Sequence, residues 1–318
     1  MPQPTSTDVH VDTPLTNLSV GFKNDMSNFI ADRVFPSVPV AKQTDKYFTY
    51  TQDDFFRTDA RLRAPGTESA GSGYNLSTET YSCDVIALHK DIDDATRANA
   101  DAPLDMNRDA VEFLTQHMLL KRELDWASTF FTETAYTNGV NDDTGGVVKF
   151  DAASAIENIQ AKMDAVEGLT GYRPNKLVCG VNAFTELKNN SDVLDRIKYT
   201  QQGVATEQLL ASLLGLEEVL VARAIRNTAN EGATASYSRI YGASNALLAY
   251  APKTPSLMHP SLGYTFTWSG YQGSNQGQRV SRFRMDHLRS DRIEMEMAYD
   301  QKLVSSSLGF FFTNTTTA

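Results

Sequence analysis

The residues of this sequence whose types could do chemistry are two cysteines, five histidines and a few acidic or glycine-rich stretches. Two cysteines, Cys83 and Cys179, are too few for a disulfide framework or a zinc site, so a reducing compartment is the default. Cys179 stands in "LVCGV", where it reads as a small buried hydrophobe better than as a nucleophile served by a distant histidine. His10, His89, His117, His259 and His287 include no pair four apart, so the zinc-protease pattern is missing. "DIDD" (Asp91, Asp93, Asp94) and "NDDTGG" (Asn141, Asp142, Asp143) resemble calcium loops only loosely. Neither has the closing glutamate in register, and both read as turns and caps. "GTESAGSGYN" and "GYQGSNQGQ" lack the spacing of a dinucleotide fingerprint and are not followed by Gly-Lys-Ser/Thr, so they read as flexible tips. No nucleophile elbow is present. The expectation is a chain with no catalytic residue, no bound metal and no cofactor. A hydrolase built on Cys179 or a histidine is the alternative of another class.

One stretch carries a different kind of chemistry. "RVFPSVPVAKQTDKYFTYTQDDFFRTDARLRAPGTESAGSGYN", residues 33–75, holds the aromatics Phe35, Tyr47, Phe48, Tyr50, Phe55 and Phe56, then Arg57, Arg61 and Arg63 among Asp53, Asp54 and Asp59. Aromatics beside arginines can stack on and neutralise a nucleic acid. The interleaved aspartates cancel that field, so a salt-bridged protein contact is the better reading.

The elements that must position these residues follow from periodicity. The first 20 residues are polar and read as a mobile arm. "DMSNFIADRVF" fits a short helix with Met26, Phe29 and Ile30 on one face, stopped by Pro36. "KYFTY" is a strand whose natural partner is "ETYSCDVIALHKDI", with Tyr81, Cys83, Val85 and Ala87 on one face. The charged span between them is longer than the roughly 12–15 residues usual for a structureless loop. It is either disordered or an extended hairpin held by something else, and the aromatics favour the hairpin. From Pro103 to Phe131 the positions Ala110, Phe113, His117, Leu120, Leu124, Ala127 and Phe131 form one stripe of a long amphipathic helix, started by Asp101 and Pro103.

Residues 151–252 alternate helix with strand. Ile156, Ile159, Met163 and Val166 share a helix face with Asp151 as cap; Ser191 and Thr206 cap two further helices, and Gly215 ends the second. "KLVCGV", "EVLVARA" and "NALLAYAP" are strands. Beyond residue 257 the chain is β-rich. Ile293, Met295, Met297 and Tyr299 alternate with Glu294 and Glu296, and a hairpin turning near Ser290 and Asp291 sets them beside the basic "RVSRFRM". "LGFFF" is the last strand.

The totals agree with a folded, non-adhesive protein. Of 318 residues 41% are apolar and 21% charged, and the formal net charge is −10, against tight clamping of nucleic acid. The start is no signal peptide, and the long charge-free run 254–278 is too rich in Pro, Gly, Ser and Gln to span a bilayer. The chain reads as soluble and intracellular when made, with no membrane partner.

The order of parts resembles a known family. "FIADRVFPSVPV" is followed by the "KYFTY" strand, the charged hairpin, a helix beginning "APLDMNRDA" and holding "KRELDWA", an insertion with "PNKLVCGVNAFTELKNNSDVLDRIKY" and "LLASLLGLEEVLVARA", and "DQKLV" before a Gly-aromatic strand. This is similar to the major capsid proteins of tailed bacteriophages, which have the Hong Kong 97-type fold, over about residues 20 to 314. The resemblance implies an α+β chain with an N-terminal arm at 1–45 and an extended loop with flanking strands at 46–90. A peripheral domain with its spine helix follows at 91–150, then an axial domain at 151–252. The return of the chain to the peripheral domain, completing its long sheet, occupies 253–318. It implies hexamers and pentamers of an icosahedral or prolate shell around double-stranded DNA, with Phe48, Tyr50, Phe55, Phe56, Arg57, Arg61 and Arg63 contacting neighbouring subunits. Implied partners are further copies of the chain, a separate scaffolding protein, a portal and weakly contacted DNA, and a decoration protein is left open. The place is the virion, assembled in the bacterial host cytoplasm. Lysine is absent from residues 47–89, so no crosslink of the Lys–Asn kind is expected in the loop. An encapsulin-like shell around an enzyme cargo is the alternative with the same fold.

Overall fold

In the computed structural model, residues 23–50, 52–100, 104–136, 148–197, 206–255, 259–272 and 278–316 are described. Asn141, Asp142, Asp143, Asp101, Pro103 and the first 20 residues lie outside them.

Short helices near the start obey packing more than propensity, because a few residues cannot hold a helix alone. A 3₁₀ turn at Met26–Asn28 is capped by the Asp25 side chain, and α1 (Ala31–Val34) follows before Pro36. Ile30, Ala31, Val34 and Phe35 are buried while Met26 is 57% exposed, so the single-face helix expected from Met26, Phe29 and Ile30 does not form. The Phe35 ring meets Trp126 edge-on at 5.6 Å.

Five strands form the first sheet. β1 (Ser37–Val40) runs parallel to β10 (Gly263–Trp268) at one edge, where Pro39 is tolerated. β2 (Thr44–Tyr50) pairs with β3 (Leu76–Ser82) as a separate hairpin, and α2 (Gln52–Phe56) starts its connection. The expected long strand through Cys83 breaks there: Cys83 N–H donates to the Gln43 carbonyl, and β4 (Asp84–Asp93) turns to β12 (Ser290–Leu303) instead. β11 (Gln278–Met285) and β12 form the arginine–glutamate hairpin, with Arg279 opposite Glu296. Its turn is Asp286–Arg289, with Arg289 left-handed at φ 47°, so Ser290 and Asp291 already belong to the strand.

α3 (Asp94–Ala98) is capped by Asp93, and α4 (Met106–Phe130), about 38 Å long, by Asp105 rather than from Asp101 and Pro103. The face of α4 that packs meets the expected stripe only at its ends: Ala110, Ala127 and Phe131 are buried as expected, but between them the buried apolar positions are Leu114, Met118, Trp126 and Phe130, while Phe113 is 48% exposed. Against α4 lie Ile293, Met295, Met297 and Tyr299 of β12, on the face the alternation gave.

The second region holds α5 (Ala155–Thr170), β5 (Lys176–Gly180), α6 (Val181–Asn189), α7 (Ser191–Ile197), α8 (Glu207–Leu214), β6 (Glu218–Ala222), the small hairpin β7 (Ile225–Asn227) with β8 (Tyr237–Arg239), and β9 (Ala246–Ala249). Ile156, Ile159, Met163 and Val166 of α5 are fully buried, and Thr206 and Gly215 cap α8 as expected. Ser154 stands at the start of α5 where Asp151 was expected, and Asn190 rather than Ser191 accepts the Asp192 N–H before α7. The second sheet has the order β13-β9-β5-β6. Its outer strand β13 (Gly309–Phe312) is the Gly-aromatic end of the chain, which therefore joins this sheet and not the sheet of β10–β12. β13 is buried along its whole length, so its sequence has no alternation to say which sheet it serves. α9 (Ser269–Gln272) follows β10. Phe35, Trp126, Phe131, Tyr241 and Phe311 share one core that ties α1 and α4 to the second sheet.

Candidate assembly surface

Strand alternation sorts the aromatics of the hairpin. Tyr47 of β2 and Tyr81 of β3 bring their rings to Phe266 of β10 at 5.3 and 4.7 Å and, with Cys83, fix the hairpin to the first sheet. The next residue along β2 faces the other way. Phe48 is 62% exposed opposite Thr78, and Tyr50 stands opposite Leu76, itself exposed. Past β2, Phe55 of α2 joins Tyr50 and Tyr74 in an open ring cluster with centroids 5.8, 6.0 and 6.1 Å apart. Phe56 leaves that cluster. It lies against the end of α5, where a Cβ at Gly171 would come within 3.0 Å of its ring, and Gln52 Nε2 donates to the Leu169 carbonyl beside it. Of the expected contact residues the fold therefore groups Tyr50 with Phe55, holds Phe48 on the hairpin face and places Phe56 apart.

The charges of the loop are spent differently than their spacing implied. Asp54 accepts from Asn75 N and Nδ2 at 2.8 and 2.9 Å, and Asp59 accepts from Ser72 Oγ at 2.6 Å and Arg57 Nε at 3.1 Å. These hydrogen bonds, from Ser72 first and then Arg57, hold the Asp59 carboxyl below its ordinary range. Arg57 finds acidic partners, Asp54 and Asp59, within its own loop. The aspartates stitch the two limbs of the loop together. Arg63 donates to the Thr67 carbonyl, and Arg61 makes no ion pair among the described residues. Between them Leu62 is fully exposed. Leu62, Tyr74 and Leu76 were not singled out by sequence; all three flank the aromatic and arginine run, which was the available signal.

Residues that could do other chemistry are committed to structure. Cys179 is wholly buried and burial pushes its thiol far up, while burial, then Asp300 and Asp84, push Cys83 up to about 12. Neither supplies a thiolate near neutral pH. Asp93 caps α3, Asp91 takes both Arg292 donors at 2.7 and 2.8 Å, and Asp94 takes Arg284 at 2.5 and 2.6 Å. Asp291, at the start of β12, gathers Arg97, Arg282 and Arg284. Among the described residues no group of three or more His, Cys, Asp or Glu side chains converges as metal ligands, and no helix is long and apolar enough to cross a membrane. A groove lined by Asn107, Arg108, Val111 and Glu112 at the start of α4 is shallow and open.

What remains is a large exposed hairpin on a two-sheet body with one long helix, and known structures share that plan. A phage-related protein from Bordetella bronchiseptica matches with TM-score 0.69 at 20% identity, over 92% of this chain and 94% of that one. The capsid of cyanophage P-SCSP1u matches with TM-score 0.63 at 11% identity, over 96% of this chain and 93% of that one. This is the Hong Kong 97-type capsid fold. At such identities the likeness is one of fold, and the same fold is found in the SrpI encapsulin complex of Synechococcus elongatus, with TM-score 0.57 at 12% identity over 96% and 95% of the two chains. Sequence comparison narrows the resemblance to phage capsids. The chain is 28% identical over 273 residues to the major capsid protein of Burkholderia phage BcepMu, covering 82% of this chain and 84% of that one. It is 25% identical over 312 residues to the major capsid protein of Pseudomonas phage JBD67, covering 97% and 98%. No family model matches the chain.

Proposed function

We propose that this chain is a major capsid protein whose copies close into the hexamers and pentamers of an icosahedral or prolate shell around phage double-stranded DNA. The observation that carries the proposal is the sequence likeness to a major capsid protein along 97% of the chain. The exposed hairpin supports it, since Phe48, Phe55 and Leu62 are presented by a loop that its own hydrogen bonds hold out in solvent. Covering each of these side chains on an adjacent subunit contributes about 1–2 kcal/mol. Such contacts are heterologous, close by rotation into rings, and gain by repetition around each ring. In this reading Phe48, Tyr50, Phe55, Arg61 and Arg63 contact the neighbour directly, and Arg57 stiffens the loop that carries them. Residues 46–90 are the intersubunit loop, α4 is the spine of the peripheral domain, and 151–252 line the capsomer centre. The last strand, β13, works in that axial sheet.

A net charge of −10 suits a wall that must not adhere to tightly packed DNA. The protein has a structural rather than a catalytic role. It is part of the virion, assembles in the bacterial cytoplasm with a separate scaffolding protein and a portal, and forms no Lys–Asn crosslink through its loop. Electron microscopy of the purified protein tests this: closed particles or capsomers are expected, and a monomer under all assembly conditions contradicts it. The encapsulin fold neighbour gives the second reading, a shell around an enzyme. Particles from the native source that hold a cargo protein and no DNA would favour it.

A further inference from the structure

The loop that presents Phe48, Phe55 and Leu62 is held to its own subunit at two places. The first is the base of the hairpin, where Tyr47, Tyr81 and Cys83 gather on Phe266. Beyond that base the ladder is a bare ribbon, with β3 exposed at every residue but Tyr81. Two strands without a packed face have little stability of their own, so the base alone does not aim the loop. The second place is the end of α5. That helix stops at Gly171, left-handed at φ 74°, and the carbonyls of its last turn have no partner within the helix. The Leu169 carbonyl accepts from Gln52 Nε2. One turn further along α2, on the same side, the edge of the Phe56 ring rests on Gly171, where a Cβ would come within 3.0 and 3.2 Å of it. The loop follows α2, because Asp54 accepts from Asn75 and the Phe55 ring meets Tyr74 on the other limb. Phe56 stays 62% exposed, so this contact is shallow and can be made and broken.

We propose that the last turn of α5 is a seat for α2, and that this seat sets the direction in which the loop is offered to a neighbouring subunit. Gly171 leaves the room, and Gln52 and Phe56 are the positioning residues. The consequence for assembly rests on the shell reading; the seat itself belongs to the single chain.

The first test therefore uses the free subunit. Cys83 and Cys179 are buried, so nitroxides on Leu62→Cys and Asn189→Cys, both at exposed positions, report the loop against the α5–α6 body by pulsed electron spin resonance. One narrow distance distribution is expected. Phe56→Ala should broaden it, and so should Gly171→Asn, because asparagine tolerates the left-handed turn but adds a Cβ under the ring. Melting temperature should not change. In the Phe56→Ala background Gly171→Asn should add nothing, since the ring it displaces is gone. A distribution already broad in the unmodified loop, or equally narrow in every variant, overturns the seat. The second test is the rate of particle formation by light scattering. Gln52→Ala and Gly171→Asn are expected to slow it by about threefold or more, because only the seated fraction is competent. An equal or faster rate with an unseated loop overturns the role in presentation, whereas absence of particles from the unsubstituted chain contradicts the shell reading and leaves the spin-label result standing.

Discussion

Glu123 shows how a single buried charge can hold three parts of the chain. It is 2% exposed and accepts hydrogen bonds from Ile30 N at 2.7 Å, Ala31 N at 3.1 Å and the Tyr241 hydroxyl. It therefore joins the first turn of α1, α4 and the segment after β8. Its neighbours are the Arg122–Asp32 ion pair, and Asp32 adds negative charge nearby. Replacing Glu123 with alanine leaves three polar groups without a partner and is expected to cost about 2–4 kcal/mol in chemical denaturation; glutamine, whose one carbonyl oxygen can still accept from Ile30 N–H and the Tyr241 hydroxyl while its NH2 faces Ala31 N–H, is expected to cost less than alanine. Burial, outweighing the three hydrogen bonds, raises the Glu123 pKa above its ordinary 4.5. The folded state then binds this proton more tightly than the unfolded state. Its stabilising contribution is complete below about 4.5, the ordinary carboxyl value, and is lost as pH rises through the raised folded value. Denaturation midpoints of Glu123→Gln should lack that fall, and an identical pH profile in the two proteins would contradict the assignment.

At the scale of elements, α4 and the β2–β3 hairpin make opposite demands. Leu114 and Phe113 are adjacent in sequence, yet Leu114 is fully buried and Phe113 is 48% exposed. Leu114→Ala is expected to destabilise by about 2–5 kcal/mol, and Phe113→Ala by well under 1 kcal/mol, as for a surface change. Equal losses would mean that the helix face is wrongly assigned. On the hairpin, Phe48→Ser with Phe55→Ser removes two exposed rings that the folded chain does not need. The melting temperature of the free subunit is expected to hold within about 2 °C, while the yield of particles by sedimentation falls at least tenfold, a loss equivalent to about 1.4 kcal/mol or more. A large drop in melting temperature would instead place these rings in the chain's own core.

At the scale of the whole molecule, periodicity made much of this fold legible. The α5 stripe, the caps of α8 and the alternation of β12 could each be read because apolar residues lie on a single face. The buried face of α4 could be read only at its ends, Ala110, Ala127 and Phe131. It includes Arg122 and Glu123, which look like solvent residues until their partners Asp32, Ile30, Ala31 and Tyr241 arrive from elsewhere in the chain. The row of Phe113, His117, Leu120 and Leu124 beside it was the stronger signal, yet Phe113 and His117 are exposed and both leucines only half-buried. β13 is buried throughout, so no pattern told which sheet would take it. In the loop, the aromatics were recognised but their division was not: alternation sends Tyr47 inward and Phe48 outward, and Arg57 turns back to Asp54 and Asp59.

The most direct measurement is a cryo-electron microscopy map of the assembled particle, resolved enough to trace side chains around the loop. Atoms of an adjacent subunit are expected within contact distance of Phe48, Phe55 and Leu62, with carboxylates near Arg61 and Arg63. A closed shell in which these residues stay bare, or lie folded back on their own subunit, would contradict the account.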